Sequence, residues 1–405
     1  MKPFRLVKSL IPFLFIFQAV SHAAPSFTPV APQVDASAYI VMDYHSGRVL
    51  AALEPEKIIE PASLTKMMTI YVIDHELRSG GIKLDDMVRI SENAWHTQGS
   101  RMFAEVGKSI SVKDLIDGVV IASGNDASVA LAEHVAGTEL AFAALMNQHA
   151  KRLGMHHTNF MNATGWPDPQ HLTTVHDLGL LAQALIRDFP ESYSLYSQKW
   201  FDFNGIKQPN RNQLLWRDQS VDGVKTGHSE AAGYCLTASA KRDNMRLISV
   251  LVGAKSDNSR SQGSQSLLNF GFRFFESHPV FSANKILEKQ RIYMGSKKFV
   301  TLGVLQDLYI TLPRGQYRGL ETTLNINNHL KAPLKKGEAI GTIIVKMGSQ
   351  IVSTQPLVAL EDIEKGGVFG RLTDFFSLTF KKLFNKQTVV TINYPPADSA
   401  APTLT

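Results

Sequence analysis

The chain has 405 residues, 44% of them hydrophobic and 19% charged, with a formal net charge of +6 at neutral pH. That length accommodates one large domain and one small one, and the composition is that of a globular protein, not of a disordered or collagen-like chain. The positive excess is too mild to mark a nucleic-acid binder, and the single cysteine, Cys235, excludes an internal disulfide framework.

Lys2, Arg5 and Lys8 stand ahead of an apolar run from Leu10 to Val20, and Ser21 and Ala23 have the small-x-small spacing of a signal-peptidase site. Residues 1–23 are therefore expected to be a cleaved secretory signal, whose loss removes three cations and no acids and leaves +3. Pro12 and the shortness of the apolar run argue against a full membrane span. Residues 24–36, rich in Pro, Ala and Ser, read as a lead-in. Tyr39 to Met42 and Val49 to Ala51 flank Ser46-Gly47 as the arms of a hairpin. Pro61 opens a helix running through Lys66 to about Arg78, because the first N–H groups of a helix have no partner for a proline to remove.

Ser111-x-x-Asp114 resembles a capping box, and Leu115, Ile116, Val119 and Val120 follow at helical spacing. That helix should end at Ser123-Gly124-Asn125, with another starting at Asp126 and a further one over Leu178 to Ile186. Two strand-like runs, 234–240 and 246–252, follow Lys225-Thr226-Gly227, and a helix over about 261–276 closes the segment. Strands at both ends with helices between predict an α+β domain over 24–279, an antiparallel sheet flanked by helices. Cys235 falls in a strand and reads as a buried structural thiol.

Composition changes after about 280. Leu308 to Leu312, Leu320 to Ile326, Ile340 to Met347 and Ile351 to Leu360 are short, β-branched and punctuated by Gly and Pro, which predicts a small all-β domain over 280–365. Over 366–386, Val368, Phe369, Leu372, Phe375, Phe376, Phe380, Leu383 and Phe384 recur at three- and four-residue steps among Arg371, Lys381, Lys382 and Lys386. This pattern predicts an amphipathic helix suited to a membrane interface. Residues 387–405, with Pro395-Pro396 and small residues, read as a disordered tail.

Three short motifs carry chemistry, in order: Ser63-Leu64-Thr65-Lys66, Ser123-Gly124-Asn125 and Lys225-Thr226-Gly227. A three-residue step on a helix puts Ser63 and Lys66 on one face. A serine hydroxyl is a poor nucleophile and needs a base in reach, and an amine serves only when uncharged. Burial and a second cation lower a lysine pKa, and Lys225 is the candidate second cation. The backbone N–H groups of Ser63 and His228 are the expected oxyanion donors. Ser123 is expected to relay protons and Asn125 to hydrogen-bond a substrate amide. The strand of Lys225, Thr226, Gly227 and His228 offers backbone pairing to an acyl peptide, with Gly227 permitting close approach. His228 as an imidazole base is the alternative to Lys66. Ser282-x-x-Lys285, Ser91-x-Asn93 and Ser256-x-Asn258 repeat pieces of the motifs, but order and spacing set them apart from the trio, and they read as surface or helix-start residues. No His-Glu-x-x-His metal motif is present.

The ordered trio belongs to penicillin-binding proteins and serine β-lactamases. The chain resembles the low-molecular-mass penicillin-binding proteins, specifically the S11-like D-alanyl-D-alanine carboxypeptidases. Asn210 to Trp216, Val221 to His228 and Asn269 to Glu276 are similar to that family's sequences, and so is the layout of signal, transpeptidase-like domain, β-rich domain and amphipathic helix. The resemblance implies a β-lactamase/transpeptidase-like catalytic domain and a peptidoglycan stem substrate ending in D-Ala-D-Ala. Ser63 would attack the penultimate carbonyl, Lys66 would take its proton, Ser123 would protonate the departing D-alanine, and water would resolve the acyl-enzyme. Arg260 lies where the family places a carboxylate-binding arginine, with Thr226 sharing the task and Arg211 a weaker candidate. β-Lactams should acylate Ser63, with neither metal nor cofactor. The resemblance also implies a role in wall biogenesis and cell shape at the periplasmic face of the inner membrane. A D,D-endopeptidase, a serine β-lactamase and a wall-binding protein with a dead site remain as rivals. The stretch between Ser123 and Lys225 holds no convincing Glu-x-x-x-Asn deacylation segment.

Overall fold

Asp43 turns the chain at the first hairpin. Its carboxylate accepts from both the N–H and the hydroxyl of Ser46, and Gly47 follows at φ +71°, a region that glycine enters without steric cost. The turn joins β1 (Ala38–Asp43) to β2 (Val49–Leu53). The computed structural model describes residues 30–317, 319–381 and 388–393, so the expected signal over 1–23 lies outside the described residues. Among the described residues no single helix is long and apolar enough to cross a membrane.

After Pro61 the chain makes a 3-10 turn, Ala62–Thr65, before α1 (Lys66–Ser79), which stops at Gly80 in a left-handed conformation. Ser63 therefore stands on the tighter turn, one step before the α-helix expected for it. The pair β3 (Met87–Arg89) and β4 (Ser109–Ser111) brackets the short α2 (Glu92–His96). Then come α3 (Val112–Val120), α4 (Asn125–Ala136), α5 (Glu139–Arg152), α6 (Val175–Asp188) and α7 (Pro190–Tyr193). Ser111, Thr138 and Thr174 each accept the N–H three residues on and so cap α3, α5 and α6. The hairpin β5 (Trp200–Phe203) with β6 (Ile206–Pro209) and the short α8 (Leu214–Arg217) precede β7 (Val221–Ser229), β8 (Gly233–Arg242) and β9 (Met245–Ala254). Last comes α9 (Asp257–Phe274), which Ser256 and Ser259 open with a reciprocal capping box. Ser256 is thus a helix-start residue, as expected.

The central sheet has the order β2-β1-β9-β8-β7, antiparallel throughout. Its two-residue period decides the layers. Ile40 and Met42 of β1 join Ile248 and Val250 of β9 in a core with Met67, Leu131 and Leu178 on one face. Tyr39 and Val41 point the other way, beside Leu251 of β9 and onto Leu267 of α9. The expected antiparallel sheet flanked by helices is present as three layers.

The β domain begins earlier than 280. β10 (Phe275–Phe281) follows α9 without a break and pairs with β13 (Leu308–Pro313). The remaining strands, β11 (Glu288–Arg291), β12 (Phe299–Gly303), β14 (Leu320–Ile326), β15 (Ala339–Met347), β16 (Gln350–Ala359) and β17 (Thr388–Asn393), form a sheet of order β11-β12-β16-β15-β14-β17. The first hairpin holds the two domains together: Ser46 Oγ lies 2.6 Å from Thr311 Oγ1, and His45 stacks on Tyr309 at 4.2 Å. β17 corrects the expectation of a disordered tail over 387–405. Six of those residues pair antiparallel with β14, because Thr388-Val389-Val390-Thr391-Ile392-Asn393 is a β-branched run and the edge of β14 is otherwise open. Residues 394–405 lie outside the described residues.

The expected amphipathic helix over 366–386 is present in part, as α10 (Val368–Lys381). Leu378 is buried and the Asp374 carboxylate accepts the Met294 N–H at 2.7 Å, which docks one side of α10 on the β domain. Val368, Phe369, Leu372, Phe375 and Phe376 stay exposed, Phe369 at 89%.

Candidate active site

The 3-10 turn of Ser63, the start of α4 and the edge strand β7 meet at one cleft of about 280 Å³, lined by Ser63, Ser100, Ser123, Thr226, Arg211 and Arg260 among others. The backbone at two of these places is held in conformations that side chains rarely adopt: Ala62, just before Ser63, has φ +47° and Ser123 has φ +59°. Each costs on the order of 1 kcal/mol and survives only where surrounding bonds fix it. Around Ser123 those bonds run from the Gly124 N–H to the Gly118 carbonyl at 2.9 Å and from the Asn125 N–H to the Ser100 carbonyl at 2.7 Å.

Lys66 is 1% exposed. Its Nζ lies 3.0 Å from Ser63 Oγ, 2.7 Å from Asn125 Oδ1 and 2.7 Å from the Thr164 carbonyl. Burial lowers the Lys66 pKa to about 7, with the Arg211 guanidinium pushing the same way and Asp126 and Glu139 opposing. The expected second cation was Lys225. Lys225 is itself held well below the usual lysine range, by burial first and then by Lys66, Arg211 and Arg260. Arg211, which keeps its charge far above neutrality, supplies the repulsion instead.

An uncharged amine has two N–H donors and one lone pair. Asn125 Oδ1 and the Thr164 carbonyl are acceptors only, so they take both donors and leave the lone pair facing Ser63 Oγ. Asn125 also aims Lys66: its Oδ1 accepts from Lys66 and its Nδ2 donates to the Gln98 carbonyl. Each end of an amide has a second hydrogen-bonding position, which leaves room for the substrate amide that the sequence suggests as its partner.

Lys225 Nζ donates to Ser123 Oγ at 3.0 Å and to the Thr226 carbonyl at 3.1 Å. The two serine–lysine pairs thus face the same cleft. β7 is the outer strand of the sheet, and a Cβ on Gly227 would come within 3.3 Å of the Ser63 and Leu64 nitrogens and the Pro61 carbonyl. The strand can lie this close to the Ser63 turn because residue 227 has no side chain. Thr226 is buried in the wall and His228 is exposed at the rim, its ring against Tyr234 at 4.1 Å. No contact joins His228 to Ser63 among the described residues, so nothing favours it as the base. Arg260, 6% exposed, donates to the Gly227 carbonyl at 3.0 Å and pairs with Asp257.

Sequence reasoning missed the loop over 98–104. Its Ser100 hydroxyl accepts from Arg211 at 2.6 Å. Asp126, fully buried next to Asn125, accepts the N–H groups of Met102, Phe103 and Ala104 at 2.9–3.0 Å and pins the loop to α4. Asp126→Ala strands those donors. The expected loss is about 3 kcal/mol of stability by denaturant titration, with slower acylation by a fluorescent penicillin; unchanged acylation would free the cleft from any dependence on this loop. Cys235 is fully buried with its thiol pushed up to about 11 by burial, which suits a structural role. Among the described residues no group of three or more His, Cys, Asp or Glu side chains could hold a metal ion.

Comparison with known proteins agrees with this geometry. The family described as D-alanyl-D-alanine carboxypeptidase matches residues 25–256, and the penicillin-binding protein 5 C-terminal domain matches 275–365. The chain is similar to the D-alanyl-D-alanine carboxypeptidase DacC of Escherichia coli, 45% identical over 92% of this chain and 95% of that one. It is 42% identical to DacA of Haemophilus influenzae, over 93% of this chain and 98% of that protein. Among solved structures, penicillin-binding protein 5 of Haemophilus influenzae superposes with a TM-score of 0.77 at 42% identity, covering 83% of this chain and 100% of that one. Penicillin-binding protein D2 of Listeria monocytogenes in its ampicillin-bound form superposes at 0.56 with 28% identity, over 60% of this chain and 100% of that one.

Proposed function

We infer the chemistry of this chain from one premise: it belongs to the D-alanyl-D-alanine carboxypeptidase family. It is a serine-type D-Ala-D-Ala carboxypeptidase of the penicillin-binding class, acting on peptidoglycan stem peptides and binding β-lactams. The roles of its residues follow from one observation: Lys66 Nζ stands 3.0 Å from Ser63 Oγ while two acceptors, Asn125 Oδ1 and the Thr164 carbonyl, are in place for the N–H donors of the uncharged amine. Ser63 attacks the penultimate carbonyl as Lys66 takes its proton. The N–H groups of Ser63 and His228 receive the developing oxyanion. Ser123, bonded to Lys225, passes a proton to the departing D-alanine. Arg260 and Thr226 hold the terminal carboxylate, and the outer edge of β7 pairs with the substrate backbone. Water then hydrolyses the Ser63 ester. Mapping the peptide modified by penicillin, by mass spectrometry, tests the assignment; an adduct on any residue but Ser63 overturns it.

The same reading puts the chain at the periplasmic face of the inner membrane, with a part in wall biogenesis and cell shape. Its support is α10, on which Val368, Phe369, Leu372, Phe375 and Phe376 stay exposed beside the equally exposed Arg371, with Phe369 at 89% and Phe376 at 66%. Phe369→Glu with Phe376→Glu should abolish sedimentation with anionic phospholipid vesicles and leave penicillin acylation unchanged. Binding that survives both charges would point to another anchor.

A further inference from the structure

Two carboxylates bear on Lys66 through their charge, Asp126 and Glu139. Asp126 is occupied with the loop over 102–104. Glu139, the first residue of α5, has no part in the reaction above. The helix dipole alone favours an acid in a first turn, but the contacts of this one lead elsewhere. Its Oε1 accepts the Ala163 N–H at 2.9 Å. Asn147, eight residues on and so on the same face of α5, accepts the Phe160 N–H and donates to the Phe160 carbonyl, both at 2.8 Å. α5 therefore grips the segment 160–163 at two points.

That segment leads into the turn that aims Lys66. Three carbonyl or N–H groups are tied down in succession: the Ala163 N–H to Glu139, the Ala163 carbonyl to Thr69 Oγ1 at 2.6 Å, and the Thr164 carbonyl to Lys66 Nζ at 2.7 Å. Asn162 Oδ1 closes the turn by accepting the N–H groups of Thr164, Gly165 and Trp166 at 2.8–3.1 Å. The turn is pressed against the chain just before Ser63. Gly165 has φ +82°, and a Cβ there would stand 1.7 Å from the Ala62 carbonyl oxygen. A shift at Ala163 is therefore passed on to the Thr164 carbonyl. Thr69, Asn147 and Asn162 hold this segment without charge. His171, which accepts the Met161 N–H at 3.3 Å, is kept neutral by burial, its pKa lowered to about 4. Glu139 brings a negative charge.

Glu139 lines a cavity of about 400 Å³ with Gln98, Asn162, Thr164 and Trp166, and none of these lines the Ser63 cleft. Its effect on the reaction passes through Lys66. As Ser63 gives up its proton, Lys66 becomes an ammonium in a buried place, where a cation needs a counter-charge. Arg211 opposes that ammonium, Asp126 and Glu139 support it, and Lys225 and Lys66 repel one another when charged. Burial raises the Glu139 carboxyl, the Ala163 N–H and Lys66 draw it back down, and Glu133 adds to the rise. We propose that Glu139 is a positioning residue for acylation: it sets the Thr164 carbonyl through the Ala163 N–H and is a counter-charge to the ammonium that forms on Lys66. The inference rests on Lys66 being the base.

Penicillin acylation of the purified full chain, followed by stopped flow from pH 5.5 to 9, separates the two tasks. Glu139→Ala frees the Ala163 N–H and removes the charge. Its limiting rate should fall about tenfold, part of the ~10²-fold that a 1 Å misplacement can cost. Glu139→Gln keeps an acceptor for Ala163 without the charge and should recover most of that loss. In both variants the midpoint of the rate should move below that of the wild type, because losing a nearby negative charge makes Lys66 easier to deprotonate. A residue that only held the fold together would not move the midpoint. Should Glu139→Ala not fold, the midpoint of Glu139→Gln decides. A midpoint that stays in place in Glu139→Gln, or a wild-type limiting rate in Glu139→Ala, overturns the role. A wild-type rate that is flat across neutrality would instead overturn the assignment of Lys66 beneath it.

Discussion

Ser63→Ala abolishes both D-alanine release and covalent labelling by penicillin, a loss of at least about 10⁴-fold for a nucleophile with no stand-in. No neighbour can substitute. Ser123 Oγ also has an amine beside it, but Lys225 Nζ donates to it and to the Thr226 carbonyl, and Ser123 is held at φ +59° just before α4, off the 3-10 turn that presents Ser63. Ser100 accepts from a guanidinium, which has no proton to take up. The variant should keep its fold, because Lys66 retains both acceptors, Asn125 Oδ1 and the Thr164 carbonyl. Gel fluorescence with a labelled penicillin and a D-alanine assay are the two readings. Labelling that survives in a folded variant would move the nucleophile elsewhere.

The second large effect belongs to Lys66. Lys66→Ala should slow acylation by about 10³-fold, within the range that positioned general bases contribute. In the intact chain, the acylation rate should climb as pH rises through about 7, the value to which burial and Arg211 bring this amine. The direction follows from charge. Below that pH Lys66 is an ammonium and its third N–H faces Ser63; above it the lone pair faces Ser63 and can take the proton. Stopped-flow acylation from pH 5.5 to 9 reads this directly, and a rate that is flat or falls across neutrality would remove Lys66 as the base. Arg211→Gln should move the midpoint upward, since it removes a repelling charge.

The meeting of the candidate site residues was legible because three short motifs in a fixed order leave few ways to meet, and the fold brings Ser63, Lys66, Ser123, Lys225 and Thr226 to one cleft. What the sequence hid is what depends on distance through space. Arg211 lowers the Lys66 pKa from 145 positions along the chain, and no spacing announces such a pair. Asp126 looks like an ordinary first-turn acid; only its three accepted N–H groups from residues 102–104 reveal a second task. The layered sheet and the β-rich domain could be read from alternation and punctuation, but their boundary could not. Phe275 continues an apolar helix face in sequence and turns out to start a strand that pairs with Pro313. The closing strand was missed for a different reason: a short β-branched run beside prolines and small residues carries no sign of where an open sheet edge waits for it.

That closing strand changes what α10 is able to do. The chain is bonded to the β domain at Gly366, touches it again through Asp374 of α10, and pairs with β14 from Thr388. A segment clipped at one end would act as a leash, letting the body swing through a wide cone above whatever it holds. Clipped at both ends it acts as a foot. Whatever surface receives Phe369 and Phe376 also sets the tilt of everything above them, including the height at which the mouth of the cleft meets its polymer.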